Sequence, residues 1–365
     1  MIYFDHNATT PVDERVLEAM LPYLKTIYGN PSSLYKLGRI ARSAIDTARE
    51  QLAALIDAQP SQILFTSGGT EANALALANA GHGSLFISAI EHPSVFENAQ
   101  ALRNCVTTIA LTPSGQIKPD ALDEFDLQRG DFVSVMLANN ETGAIQDVAG
   151  IVESLAGRGI TVHSDAVQAL GKIPLSFRKL GVQLMSLSSH KLYGPKGCGA
   201  LVFAQDISLH GLQRGGDQEQ GLRAGTENVA GIVGFGKAAE LAKAEFERRT
   251  SKILALRIRL ESRLKAIPGL VIFAEHAPRL PNTVQFAIPG INGEMLLMRL
   301  DQNDIAVSSG SACSASSGEI SPVLAAMSIE PTLARGAIRV TLGKDNHEHE
   351  VDQFVSVLKT LLTKH

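Results

Sequence analysis

The chain has 365 residues, of which 45% are hydrophobic, 19% charged and 5% aromatic, and a formal net charge of −4. That length allows two domains of ordinary size, and that composition describes a globular protein with a large aliphatic core. The charge excludes a basic footprint for nucleic acid and a polybasic membrane patch, so neither partner is expected.

The start, Met1-Ile2-Tyr3-Phe4-Asp5-His6, lacks the basic leader and apolar run of a signal peptide. Asp5 to Pro11 is turn-like, and Thr10-Pro11-Val12-Asp13 caps a helix running to about Leu24. Tyr28-Gly29-Asn30-Pro31-Ser32-Ser33 reads as a loop, followed by an Ala- and Arg-rich helix over 38–56. From there the chain alternates, with strands over 63–66 and 84–90 and helices over 70–80 and 94–103. The pattern repeats through 132–138, 148–156 and 160–164. Such alternation implies βαβ units, an α/β fold and a mostly parallel sheet covered on both faces.

Short strands over 182–187 and 200–203 flank a loop that holds Lys191, and residues 228–267 read as one long helical stretch. Beyond it lie strands near 271–274, 283–287 and 337–341 and a last helix from about Glu348. No uninterrupted apolar segment approaches a membrane span. The change of pattern predicts a large domain over 1–250 and a smaller α+β domain over 251–365, with the N-terminal segment free to pack against the second. Cys105, Cys198 and Cys313 are scattered and odd in number, which points to a reducing, cytoplasmic setting.

In open α/β sheets ligands bind at the carboxyl ends of strands, and the unusual residues gather there. Thr66-Ser67-Gly68-Gly69-Thr70-Glu71 is either a phosphate cradle at a helix N-terminus or a plain glycine turn. Glu91-His92-Pro93-Ser94 carries a histidine that is a cap or a catalytic group. Asn139-Asn140-Glu141 is a turn or a ligand contact. His163-Ser164-Asp165 ends a strand with an acid, which is uncommon without a cationic partner. Arg223-Ala224-Gly225-Thr226 offers a second anion site. Lys191, pinned near the core, is an amine nucleophile or the partner of a carboxylate at a sheet edge. A lysine, an acid for a pyridinium nitrogen and a phosphate cradle are together what pyridoxal phosphate asks of a protein.

With Asp5-His6-Asn7-Ala8-Thr9-Thr10-Pro11, Gly29-Asn30-Pro31-Ser32-Ser33, Ser189-His190-Lys191-Leu192-Tyr193-Gly194-Pro195-Lys196-Gly197 and Ser308-Ser309-Gly310-Ser311-Ala312-Cys313, these motifs run essentially end to end. In them the chain resembles the cysteine desulfurases of the class V aminotransferase group that carry their cysteine in a long loop. The resemblance implies the fold type I of pyridoxal-phosphate-dependent transferases and release of L-alanine from L-cysteine, with the sulfur kept as a persulfide on Cys313. It implies that Lys191 binds the cofactor covalently, Asp165 pairs with the pyridine nitrogen, His92 stacks on the ring and moves protons, and Gln168 contacts the ring hydroxyl. Asn140 falls at the ring or the substrate carboxylate. Gly69, Thr70, Ser188 and His190 hold the phosphate, joined by Thr226 from the other subunit of a homodimer. Arg339 binds the substrate carboxylate, assisted by Asn30. No resident metal is implied, although Cys313 could share an iron–sulfur cluster with a scaffold protein, one candidate acceptor.

The chain departs from the family at Gly215-Gly216-Asp217, where three glycines are frequent, and at Ser314-Ala315-Ser316-Ser317-Gly318-Glu319, which lacks a Leu-Glu-Pro run. Both bear on the sulfur acceptor more than on the chemistry. The runner-up reading is a selenocysteine lyase or another lyase or aminotransferase on the same cofactor. A catalytically silent scaffold would not need Lys191, Asp165, His92 and Cys313 together.

Overall fold

The structure is a computed structural model that describes residues 1–102, 106–309 and 320–363. Cys105 and Cys313 lie outside the described residues. The central sheet has seven strands, in the spatial order Ile63–Thr66, Gly199–Phe203, Leu184–Ser188, Thr161–Asp165, Phe132–Ser134, Leu85–Ser88 and Val106–Ile109. All neighbours pair in parallel except Gly199–Phe203, which runs antiparallel to both of its own.

Why these segments form an inner sheet is plain from their side chains. Ile-Leu-Phe-Thr, Leu-Phe-Ile-Ser and Leu-Met-Ser-Leu-Ser are buried throughout, as strands covered on both faces must be. Successive residues point to opposite faces. Ile63, Val133 and Met185 join Ile45, Leu52 and Phe235 of the helices Lys36–Ile56 and Val229–Ala244 in one core. Leu64, Phe132 and Leu184 join Leu75, Val95 and Ala99 of the helices Gly69–Ala78 and Pro93–Leu102 in another.

A second sheet places Thr283–Ala287 antiparallel between Ile338–Thr341 and Val271–Ile272. The helices Phe246–Lys265 and Glu348–Leu362 cover it through Leu260, Phe286 and Phe354. The start of the chain belongs to this layer. Ile2–Tyr3 pairs in parallel with Ile305–Ala306, and Phe4 meets Phe354 edge to face at 5.9 Å.

The structure corrects the sequence reading in two places. The long helical stretch is two helices, Val229–Ala244 and Phe246–Lys265, separated at Glu245 with φ −109° and ψ 11°. Glu245 accepts hydrogen bonds from Arg15 at 2.8 Å and Arg249 at 2.8 Å, drawing the break into an ion cluster with Asp13. The edge strand Val106–Ile109 was not expected, because its Val-Thr-Thr-Ile run is short and mixed in polarity.

Candidate active site

A cavity of about 320 Å³ opens at the carboxyl ends of the parallel strands, closed on one side by Arg339 and Val323 of the C-terminal layer. Thr161–Asp165 delivers Asp165 as its last residue, and Leu184–Ser188 delivers Ser188 and, one short turn later, Lys191.

Lys191 Nζ donates to the backbone carbonyls of Asn7 at 2.5 Å and Ala8 at 2.6 Å, not to a carboxylate. Burial, assisted by the charge of Arg339, pushes its amine down to about 8. Such a lysine is a usable nucleophile near neutrality.

Asp165 is 5% exposed, and among the described residues its hydrogen-bond partners are neutral donors: Val167 N–H reaches Oδ1 at 2.9 Å, and Asn73 Nδ2 reaches Oδ2 at 2.8 Å. Its charge is therefore left for a cation inside the cavity. Asn73 also donates to Ser94 Oγ at 2.9 Å, and Ser94 N–H donates to His92 Nδ1 at 3.1 Å. Because Nδ1 accepts, the neutral ring of His92 carries its proton on Nε2. Burial holds this histidine below its ordinary value, against the pull of Asp165.

Opposite Asp165, the N-terminus of the helix Gly69–Ala78 supplies the positive end of a peptide dipole. Beside it Ser188 Oγ is buried without a hydrogen-bond partner among the described residues. A Cβ on Gly69 would come within 2.9 Å of Val167 Cγ2, so a side chain there would crowd the space. Thr70 lines the same end. His190 also lines it, with Nδ1 3.1 Å from Thr9 Oγ1 and its basicity lowered by burial to about 4, so the ring is neutral. An acid for a ring nitrogen, a lowered lysine and an orphaned hydroxyl at a helix N-terminus fit pyridoxal phosphate.

Arg339 is 3% exposed; its Nη2 donates to Asp5 Oδ1 at 2.7 Å and its Nη1 to Asn140 O at 3.1 Å. Gln168 and Asn140 line the cavity as well. Asn30 does not: it is exposed, and its Oδ1 accepts the Ser32 N–H at 2.9 Å. Thr226 is likewise exposed on its own chain.

Cys313 lies outside the described residues, but both described ends of its stretch stand at the cavity. Ser308 exchanges backbone hydrogen bonds with Arg339 at 3.1 and 2.6 Å. Ser321 Oγ donates to buried Glu141 at 2.6 Å, and Pro322 and Val323 line the wall. Cys198 is buried, and burial pushes its thiol up to about 12, which leaves it inert.

Three contributors escaped the sequence reading. Asn73 is a lone polar residue on the buried Ala-Leu face of its helix, which was the available signal. Asn7 stood in a quoted motif without a role, and Lys172 gave no signal beyond lying four residues after Gln168.

Residues 2–354 match the class V aminotransferase family. The chain belongs to that family. Its members use pyridoxal phosphate. The whole chain is 41% identical to a cysteine desulfurase IscS of Methanosarcina thermophila, covering 92% of it. It is 40% identical to the IscS of Dictyoglomus turgidum, covering 95%. Among solved structures, a NifS-like protein from Rickettsia africae aligns over 100% of this chain and 99% of its own, at 34% identity and a TM-score of 0.92. SspA, solved in complex with cysteine, aligns over 94% of this chain and 99% of its own, at 30% identity and a TM-score of 0.83.

Proposed function

We propose that this chain is a pyridoxal-phosphate-dependent cysteine desulfurase that releases L-alanine from L-cysteine and keeps the sulfur as a persulfide on Cys313. The observation that carries the reading is a convergence in one cavity. Lys191 with its lowered amine, Asp165 held by neutral donors, and both described ends of the Cys313 stretch meet there.

Bound in this cavity, pyridoxal phosphate supplies an electron sink for charge that develops on the substrate carbons. Lys191 anchors it and moves the proton of the substrate α carbon at Nζ. Asp165 keeps the ring nitrogen protonated, His92 covers the ring, and Gln168 faces the ring oxygen. Gly69, Thr70, Ser188 and His190 take the phosphate, and Thr226 of a second copy completes the cradle in a homodimer. Arg339 takes the substrate carboxylate, with Asn140 and Asn30 assigned to the same end.

Cys313 then attacks the substrate sulfur. The carbon–sulfur bond breaks, its electron pair goes to carbon, and that carbon takes a proton to leave as alanine. The balance is L-cysteine plus a thiol giving L-alanine plus a persulfide, which passes to a sulfur acceptor such as an iron–sulfur scaffold. Residues 1–250 form the cofactor-binding domain, their N-terminal segment packing with the smaller domain of 251–365 that carries Cys313, and the chain acts in the cytoplasm. The test is reconstitution with pyridoxal phosphate followed by L-cysteine. A visible absorption band and alanine in step with persulfide are expected, and a chain giving neither overturns the reading.

A further inference from the structure

A second lysine stands behind the first. Lys172 Nζ donates to Gln168 Oε1 at 2.6 Å and to Asn7 Oδ1 at 2.9 Å. Gln168 Nε2 donates to Asn7 O at 2.9 Å, the same carbonyl that receives Lys191 Nζ. The Asn7 amide is fixed in turn: Asn282 Nδ2 donates to its Oδ1 at 2.9 Å, and its own Nδ2 donates to Thr283 Oγ1 at 2.9 Å. The two lysines thus grip one asparagine, one at the backbone oxygen and one at the side-chain oxygen.

Both partners of Lys172 are amide oxygens. Lys172, Lys191, His6, Tyr193 and Arg249 line a small chamber, and among the described residues no acid joins them in its wall. Burial, with the charges of Lys191 and Arg339, drives the Lys172 amine well below its ordinary value. An amine so placed neutralises no carboxylate, but it does orient amides. The oxygen and nitrogen of a glutamine differ little in shape, and neighbours decide which way the group lies. With Lys172 donating to Oε1, the amide nitrogen must face Asn7 and the cavity that Gln168 lines. The bond to Asn7 O uses one of its two N–H groups.

We propose that Lys172 is a positioning residue for the cofactor: it fixes Gln168 as a donor toward the cavity, so that the ring oxygen of bound pyridoxal phosphate is held deprotonated beside Lys191. The inference rests on the cofactor reading above. A glutamine free to turn could offer its oxygen and stabilise a protonated ring oxygen; a glutamine held by Lys172 cannot.

The test follows the visible absorption of the reconstituted enzyme across pH. In Lys172→Met the midpoint of its pH-dependent change moves up by about one pH unit, a tenfold rise in proton affinity. Lys172→Arg, whose guanidinium can only donate, restores most of the shift. Gln168→Leu produces a similar rise, and adding Lys172→Met to it changes nothing further. Gln168→Glu keeps a partner for Lys172 but loses the donor, and it shifts the midpoint upward even where Lys172→Met folds poorly. An unmoved midpoint in Lys172→Met or in Gln168→Glu overturns the proposal, as does an equal Lys172→Met shift without Gln168. A wild-type chain that takes up no cofactor sinks the cofactor reading instead.

Discussion

Arg339 and Asp5 form a partly buried ion pair, Nη2 to Oδ1 at 2.7 Å, across 334 residues of sequence. The guanidinium assigned to the substrate carboxylate is thus held from behind by an acid of the N-terminal turn. A charge-assisted hydrogen bond of this kind contributes about 1.5–3 kcal/mol. Asp5→Asn is therefore expected to raise KM for L-cysteine by roughly tenfold or more, with a smaller effect on kcat. Steady-state kinetics decide it, and a KM within twofold of wild type would remove Asp5 from the substrate pocket.

The amine of Lys191 is lowered to about 8, so its reactive neutral form becomes abundant near pH 8. Below that value the rate of cofactor uptake by the stripped protein should rise about tenfold per pH unit, and above it level off. Lys191→Ala should lose the visible band and nearly all turnover. Stopped-flow absorption checks the first expectation; near wild-type turnover in the variant would contradict the second.

Glu91 supplies a pH dependence of stability. Ser88 Oγ and Met136 N–H donate to its Oε1 at 2.5 and 2.6 Å, while Oε2 is buried without a hydrogen-bond partner among the described residues. Burial lifts this carboxyl from 4.5 to about 8. Between those values the folded chain holds a proton that the unfolded chain has lost. The contribution of Glu91 is therefore complete below 4.5 and fades as pH rises through 8. Glu91→Gln, neutral at every pH and similar in shape, should flatten this slope. Urea titrations of both proteins from pH 5 to 8.5 measure it, and parallel profiles would refute an acidic, protonated Glu91.

The three cysteines should behave differently. Cys313→Ala is expected to bind cofactor and substrate but to give no persulfide, while Cys105→Ala and Cys198→Ala stay active. A free thiol is only a few per cent thiolate at pH 7. A buried thiol raised to about 12, as in Cys198, offers essentially none. Mass spectrometry of the persulfide locates it; a persulfide on Cys198, with Cys313→Ala fully active, would end the mechanism.

Much of the site was legible because its residues cluster at strand ends in short motifs whose composition is odd for loops. Lys191, Asp165, His92 and Ser188 all line one cavity, as the motif order suggested. The parallel sheet was legible from uninterrupted apolar strands alternating with helices. What escaped was set by tertiary contact. The break at Glu245 has neither glycine nor proline to announce it, only Arg249 four residues on and Arg15 brought from the N-terminal part of the chain. Asn73 and Lys172 look ordinary in sequence, and they matter because the fold sets them against Asp165 and Gln168. Asn30 and Thr226 are exposed on their own chain, and no single-chain pattern says what would cover them.

The turn that holds Asp5, Asn7 and Ala8 is synthesised well before the partners it must meet. Asn7 and Ala8 receive the Lys191 amine, and Asp5 waits for Arg339 on a strand made 334 residues later. Most of the central sheet can form as it emerges, because its strands from Leu85 to Phe203 pair with near neighbours in sequence, while Ile63–Thr66 waits for Gly199–Phe203. The cofactor pocket cannot close until the final strand has docked. A fragment that stops before Arg339 therefore carries the lysine assigned to the cofactor but not the arginine assigned to the substrate carboxylate.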